Sequence, residues 1–328
     1  MSQAVGTLPP MVLVAPRPLR QPSSLAASVP AGGEVLALLR GDATARPSFD
    51  PGLAGGLRAW LEDAAYGVVA SRGDLAPGLV LGPRELLGTA PAELRGTCGE
   101  DGSAAVAAAV AAGADGGVPD QVVVARLVHA LFRRLVTDGD TDAVVDAVIE
   151  NPLVDALDAL RAEGPNGART SAHVEAMSEP ARSTLGAVVA SHAAHLAGLV
   201  PRLAPSWMPR TDDRVAIPLA GGRVILRGVF DLLVGLPQPG RASLCALGLS
   251  TGGSWARERR ALHYLALLET LRSGTPPFRL ALLETDSGRY GIEDVREEHL
   301  RAIASHLAAW LAGAAGGRGR TTGARAAG

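Results

Sequence analysis

One carboxylate sits where it should be costly. Asp231 lies inside the run Val229-Phe230-Asp231-Leu232-Leu233, and a charged group buried among apolar neighbours costs several kcal/mol unless it is paired or binds a metal. Asp231 therefore reads as a metal ligand or site acid, or more plainly as a strand-end acid paired with an arginine such as Arg227. A second candidate is Ser250, in Gly248-Leu249-Ser250-Thr251-Gly252. This matches G-x-S-x-G, the turn that exposes a nucleophilic serine between a strand and a helix. Asp286 and His299 follow in the hydrolase order of serine, acid, histidine. A chain with 40 glycines produces this pattern easily. Asp286-Ser287-Gly288 also reads as a hairpin turn, and His299 as a helix-surface residue. The same glycine turn could hold an anion on backbone N–H groups at a helix start, with Arg257, Arg259 and Arg260 beside it. His192 and His195 are spaced i, i+3 on a helix, as a metal pair or as packing residues. Arg318, Arg320 and Arg325 are tail residues that could touch nucleic acid.

Composition narrows the chemistry. The chain has 328 residues, 47% of them hydrophobic, which allows one large or two modest domains. All of its strongly basic side chains are arginines; the absence of lysine excludes a Walker A lysine, a Schiff-base lysine and a kinase-type strand lysine. A net charge of −2 provides no global field for nucleic acid, and 3% aromatic residues argue against a base-stacking platform. Cys98 and Cys245 are too far apart in sequence for a CxxC zinc site, and Cys245 reads as a small buried hydrophobe. There is no uninterrupted apolar run of about 18–20 residues and no basic-then-apolar leader. These features predict a cytoplasmic protein without a membrane partner.

The elements that must position these residues follow from periodicity. Residues 1–33 are rich in Pro, Ser and Ala and are expected to be disordered, with an edge strand conceivable at 11–14. Residues 34–165 are expected to be mainly helical: a short helix at 34–40, a helix after Asp50-Pro51, a low-complexity Ala/Val/Gly segment at 104–117, and a helix from Pro119-Asp120 with Val123, Leu127, Ala130, Leu131 and Leu135 inward. Short helices follow at 140–149 and 153–162. Glu163–Gly167 reads as a linker. The second unit spans 168–313. It has a helix from Glu179-Pro180 to about Leu203, strands at 214–219, 222–235 and 242–249, and a helix at 255–272. Strands at 278–284 and 289–292 follow, then a last helix capped by Asp294. Residues 314–328 form a Gly/Ala/Arg tail expected to be disordered. The alternation of strands and helices predicts an α/β sandwich around a small mixed sheet.

The layout from Asp231 onward resembles the PD-(D/E)XK nuclease superfamily, in particular its RecB-like branch. The resemblance rests on Gly228-Val229-Phe230-Asp231, on Ser250-Thr251-Gly252 where that family has Lys-Thr-Gly, on His263-Tyr264 in the following helix, and on Gly274–Phe278. It covers residues 179–311 and implies a restriction-endonuclease-like mixed sheet flanked by helices. It also implies that Asp231 is the first metal-binding acid, that Mg²⁺ is the cofactor, that Tyr264 is the helix tyrosine, and that His192 matches an early-helix histidine that binds metal. The pattern departs at two positions. Gly248 stands where the second acid belongs and Ser250 where the lysine belongs, so the paired carboxylates that hold Mg²⁺ against a phosphate are incomplete. Glu258 on the next helix is the candidate for a relocated acid. The resemblance therefore implies an inactive or weakly active nuclease-like protein that binds DNA or a protein partner. Its alternatives are an active metal-dependent nuclease with moved ligands and a serine hydrolase using Ser250.

Overall fold

The computed structural model describes residues 46–72, 79–83, 120–138, 142–200, 203, 205–238, 240–252 and 255–316. The segments 1–33, 34–40 and 104–117, and the tail beyond 316, for which the sequence carries expectations, lie outside the described residues.

Among the described residues there are eight α-helices: α1 (Leu53–Arg72), α2 (Gln121–Asp138), α3 (Asp142–Glu150), α4 (Pro152–Ala162), α5 (Pro165–Glu175), α6 (Glu179–Leu199), α7 (Trp255–Ser273) and α8 (Glu297–Gly316). Six strands form one mixed sheet: β1 (Leu79–Leu81), β2 (Arg210–Leu219), β3 (Val224–Val234), β4 (Cys245–Ser250), β5 (Arg279–Glu284) and β6 (Arg289–Asp294). The expected α/β class with a mixed sheet between helices is what the chain forms.

The register explains how the sheet is built around β3. Antiparallel β2 pairs with β3 along nearly all of its length, from Arg210 opposite Leu233 to Leu219 opposite Val224. Parallel β1 pairs with residues Val224–Leu226 of β3, and antiparallel β4 with Leu232–Val234. Since β2 already occupies one edge at both places, β1 and β4 lie end to end along the other edge. β5 then runs parallel to β4, and β6 returns antiparallel through the turn at residues 285–288.

Two apolar cores cover the two faces. Val224, Leu226, Phe230, Ala246, Leu280 and Leu282 pack with α1, α7 and α8. Leu232, Val234, Cys245, Leu247, Leu249, Ala281 and Leu283 pack with α2, α4 and α6. β4 is buried at every position, as expected for a strand covered on both faces. The helical first half therefore forms one layer of the fold, while α1 and β1 join the opposite core. The inward stripe of α2 is broader than the sequence suggests: Val124, Val128, Phe132 and Val136 are buried besides the expected positions, because α2 lies between the sheet and other helices.

Three local expectations are corrected. Residues 163–167 do not form a linker: α5 starts at Pro165, with Gly167 buried inside it. Proline suits the first helical turn, where its missing N–H leaves no bond unmade. Asp294 closes β6 opposite Arg279, and α8 starts only at Glu297. That helix also runs to Gly316, so the first residues of the expected tail are helical.

Candidate functional site

Asp231 lies where β4 leaves β3. The β3–β4 ladder ends at Leu232 opposite Leu247, and one further step of the same register would set Asp231 beside Gly248. Instead of continuing the ladder, Asp231 Oδ2 accepts a hydrogen bond from the Leu249 N–H at 2.8 Å. The side chain thus satisfies a backbone donor that the diverging strands would leave bare. Face alternation slips at the same place: Phe230 and Leu233, three residues apart, both belong to the α7–α8 core. Across the ladder, Asp212 has a φ of 52°, an uncommon conformation for a residue with a side chain. An irregularity of this kind re-aims a strand side chain.

The other oxygen, Asp231 Oδ1, lies 3.2 Å from His129 Nδ1 on α2. Burial is the largest influence on this imidazole and opposes its charge. The attraction of Asp231, its hydrogen bond and the more distant Asp212 outweigh it, so the His129 pKa is raised. Arg133, one turn further on α2, pairs with both Asp212 and Glu163. Sequence reasoning missed His129. It lies off the main apolar stripe of α2 and has no neighbouring ligand-type residue, so its only signal is a lone histidine between the apolar residues Val128 and Ala130.

Asp231→Asn keeps the size of the side chain and the bond from Leu249 but removes the charge. The His129 pKa is then expected to fall from above its ordinary 6.5 to below it, because burial and Arg133 remain. A histidine NMR titration reads this directly. The sign for stability follows: the pair stabilises the fold fully below pH 6.5, and the contribution is lost as pH rises through the raised folded pKa.

Gly248, where the resemblance implies a second acid, lies beside Asp231. A Cβ on Gly248 would stand 3.8 Å from Asp231 Oδ2 and 3.3 Å from Leu262 Cδ1. The residues here do not fit Mg²⁺. They offer one carboxylate, with one oxygen on a backbone N–H and the other on an imidazole, whereas Mg²⁺ requires an octahedral oxygen shell. Among the described residues, the one set of three His, Cys or acidic ligand atoms lies elsewhere and contains neither Asp231 nor His192 nor Glu258.

The remaining predicted site residues are dispersed. Glu258 is partly exposed in the first turn of α7. Tyr264 is buried, with its hydroxyl 3.1 Å from both the Leu81 and Arg227 carbonyls, and ties β1 and β3 to α7 about 13 Å along the strand from Asp231. Ser250 is buried at the end of β4. Its carbonyl accepts the Thr285 N–H at 2.9 Å and the Thr285 hydroxyl at 3.0 Å. His192 donates from Nδ1 to the Thr285 hydroxyl at 2.8 Å, and His195 donates from Nδ1 to the Thr285 carbonyl at 2.8 Å. The two histidines therefore anchor α6 to the carboxyl ends of β4 and β5. Burial lowers the His192 pKa, against the opposing pull of Asp286. Cys245 is buried, and its thiol is pushed up to about 12 by burial, which leaves it without nucleophilic thiolate near neutral pH.

A further polar cluster was not legible in sequence. Glu293 on β6 takes Arg259 Nε at 3.1 Å and Arg259 Nη2 at 2.5 Å, while Glu293 Oε1 lies 2.6 Å from His263 Nε2. The rings of His263 and His299 stack, with centroids 4.6 Å apart. Burial alone would raise the Glu293 pKa. The hydrogen bonds and charges of His263 and Arg259 overcome it and hold the carboxyl at about 2. Burial and the charge of His263 lower the pKa of His299. Arg259 is thus engaged away from the glycine turn, and His299 stands with His263 and Glu293, the residues it meets in place of the expected Asp286.

No family model matches the chain, and neither the curated proteins nor the solved structures give a match. Among the described residues no helix is long and apolar enough to cross a membrane.

Proposed function

We propose that this chain is a catalytically silent, nuclease-like protein that binds DNA without cutting it. The observation that carries this reading is the closeness of positions 231 and 248, where a Cβ on Gly248 would stand 3.8 Å from Asp231 Oδ2. The first acid is present at the divergence of β3 and β4, and the place beside it, where a second acid would complete a metal site, holds a glycine. His129, approaching Asp231 from α2, is the residue that pairs with this acid, while His192 bonds the Thr285 hydroxyl. One carboxylate cannot hold a divalent ion against a phosphate, so cleavage by the two-acid route is absent from the proposed activity. For DNA the supporting feature is Arg257 and Arg260, exposed at the amino end of α7 close after β4. Cations at a helix start combine with its positive dipole to favour phosphate.

The test is a single assay with two readouts. Labelled single- and double-stranded DNA is incubated with the wild type, Asp231→Ala and Arg257→Ala/Arg260→Ala in Mg²⁺ and in Mn²⁺. Fluorescence anisotropy reports binding and gels report cleavage. The expected result is no cleavage by any form, with salt-sensitive binding that weakens several-fold when both arginines are removed. Cleavage lost in Asp231→Ala would instead establish an active site with moved ligands. Intact protein that neither binds nor cuts DNA would leave the protein-partner reading. As a gain-of-function control, Gly248→Asp/Ser250→Lys restores the acid-x-lysine pattern. Its Mn²⁺ binding, read by electron paramagnetic resonance, is expected to exceed that of the wild type.

A further inference from the structure

We propose that His263, Glu293 and His299 form a binding site for a divalent transition-metal ion of the Zn²⁺ class, separate from the Asp231 region. Their ligand-type atoms all lie within 4.8 Å of one another. Each comes from a different element, α7, β6 and α8, so an ion there would bridge a sheet edge and two helices. Glu293 pairs with Leu280 on β5, which pairs with Ala246 on β4. The cluster is therefore two strands, roughly 10 Å, across the sheet from β4.

An independent observation points to a ligand. His299 Nδ1 is buried and has no hydrogen-bond partner, although a buried polar atom ordinarily finds one. A metal ion would supply the missing partner. Two imidazoles and one carboxylate are a donor set for Zn²⁺, Co²⁺ or Ni²⁺ and not for Mg²⁺, which selects oxygen. Arg259 holds Glu293 mainly through Oε2, 2.5 Å from Nη2, while its Nε is shared at 3.1 Å between Oε2 and Oε1, and Oε1 is the oxygen that faces His263. Holding a ligating carboxylate by its far oxygen is how outer groups orient metal ligands.

Binding asks for two local changes. His263 must give up its hydrogen bond to Oε1, and one imidazole must turn, because planes only 14° apart do not converge on a single ion. The charge of Arg259 opposes a cation nearby, so the affinity expected is micromolar and not that of a closed structural zinc site.

The full chain is titrated with Zn²⁺ by calorimetry and with Co²⁺ by visible absorption. The expected result is one bound equivalent, with a Co²⁺ spectrum of nitrogen and oxygen ligation. His299→Gln and Glu293→Gln are each expected to weaken binding by about tenfold or more, while His306→Ala, at an exposed position on α8, leaves it unchanged. Paramagnetic broadening of the histidine NMR signals by Co²⁺ locates the site in the wild type even if a variant fails to fold; His263 and His299 should broaden first. The absence of Zn²⁺ and Co²⁺ binding to the wild type at millimolar concentration would overturn the proposal. So would broadening centred on other histidines.

Discussion

Gly167→Ala is expected to destabilise the protein by about 3 kcal/mol, at the upper end of the cost of overpacking. Gly167 lies in the first turn of α5, where a Cβ would stand 1.8 Å from the Leu160 carbonyl oxygen and 2.8 Å from its carbon. Both obstacles are backbone atoms at the end of α4. No rotamer can relieve the clash, and the α4–α5 corner must open. That corner also holds Glu163, the partner of Arg133, so the disturbance would reach α2. Gly186→Ala in α6 is the matched control. Its Cβ would meet only Leu153 Cδ2, at 3.6 Å, and replacing a mid-helix glycine with alanine adds about 0.8–1 kcal/mol of helix propensity. Chemical denaturation should therefore move the two variants in opposite directions. Equal shifts would mean that the α4–α5 approach is not as close as described.

Glu293→Gln is expected to cost about 3 kcal/mol near neutral pH in chelator-treated protein. The figure follows from the fall of the carboxyl pKa from 4.5 to about 2, at about 1.4 kcal/mol per pH unit. The folded pKa lies below the unfolded one, so this stability is present above pH 4.5 and lost as pH falls towards 2. The stability difference between wild type and variant should thus shrink as pH falls from 4.5 towards 2. His192 and His299 act in both proteins. Their lowered pKa values reduce stability as pH falls below 6.5; the comparison cancels the His192 effect, whereas loss of the Glu293 charge lowers the His299 pKa further. A difference that persists unchanged at low pH would show that Glu293 acts through packing and not through its charge.

The carboxyl edge of β4 and β5 shows how sequence and fold divide the work. The run of apolar residues broken by Asp231, the glycine turn at 250–252 and the following helix were readable because each rests on a local pattern. Local chemistry also marked Asp231 as a residue needing a partner. It could not say which, because His129 lies about a hundred residues earlier and meets Asp231 only when α2 packs across the sheet. For the same reason Tyr264 and His192 looked like site residues. Their bonds to the Leu81, Arg227 and Thr285 backbone or hydroxyl groups exist only once the strands are ordered. The segment at 163–167 misled for the opposite reason: its Gly and Pro residues carry the signature of a loop, but a glycine needed for close helix packing has the same letter as one needed for a turn.

Sequence by itself determined the α/β class, the absence of lysine-based chemistry, and a carboxylate at Asp231 that needs a partner. Those follow from residue type and short-range periodicity. The tertiary structure decided that Asp231 caps a diverging ladder and pairs with His129, that the helical first half forms a layer of the fold, and that Arg259, His263, Glu293 and His299 meet at all. Each depends on contacts between segments far apart in the chain, which only strand order and helix packing bring together.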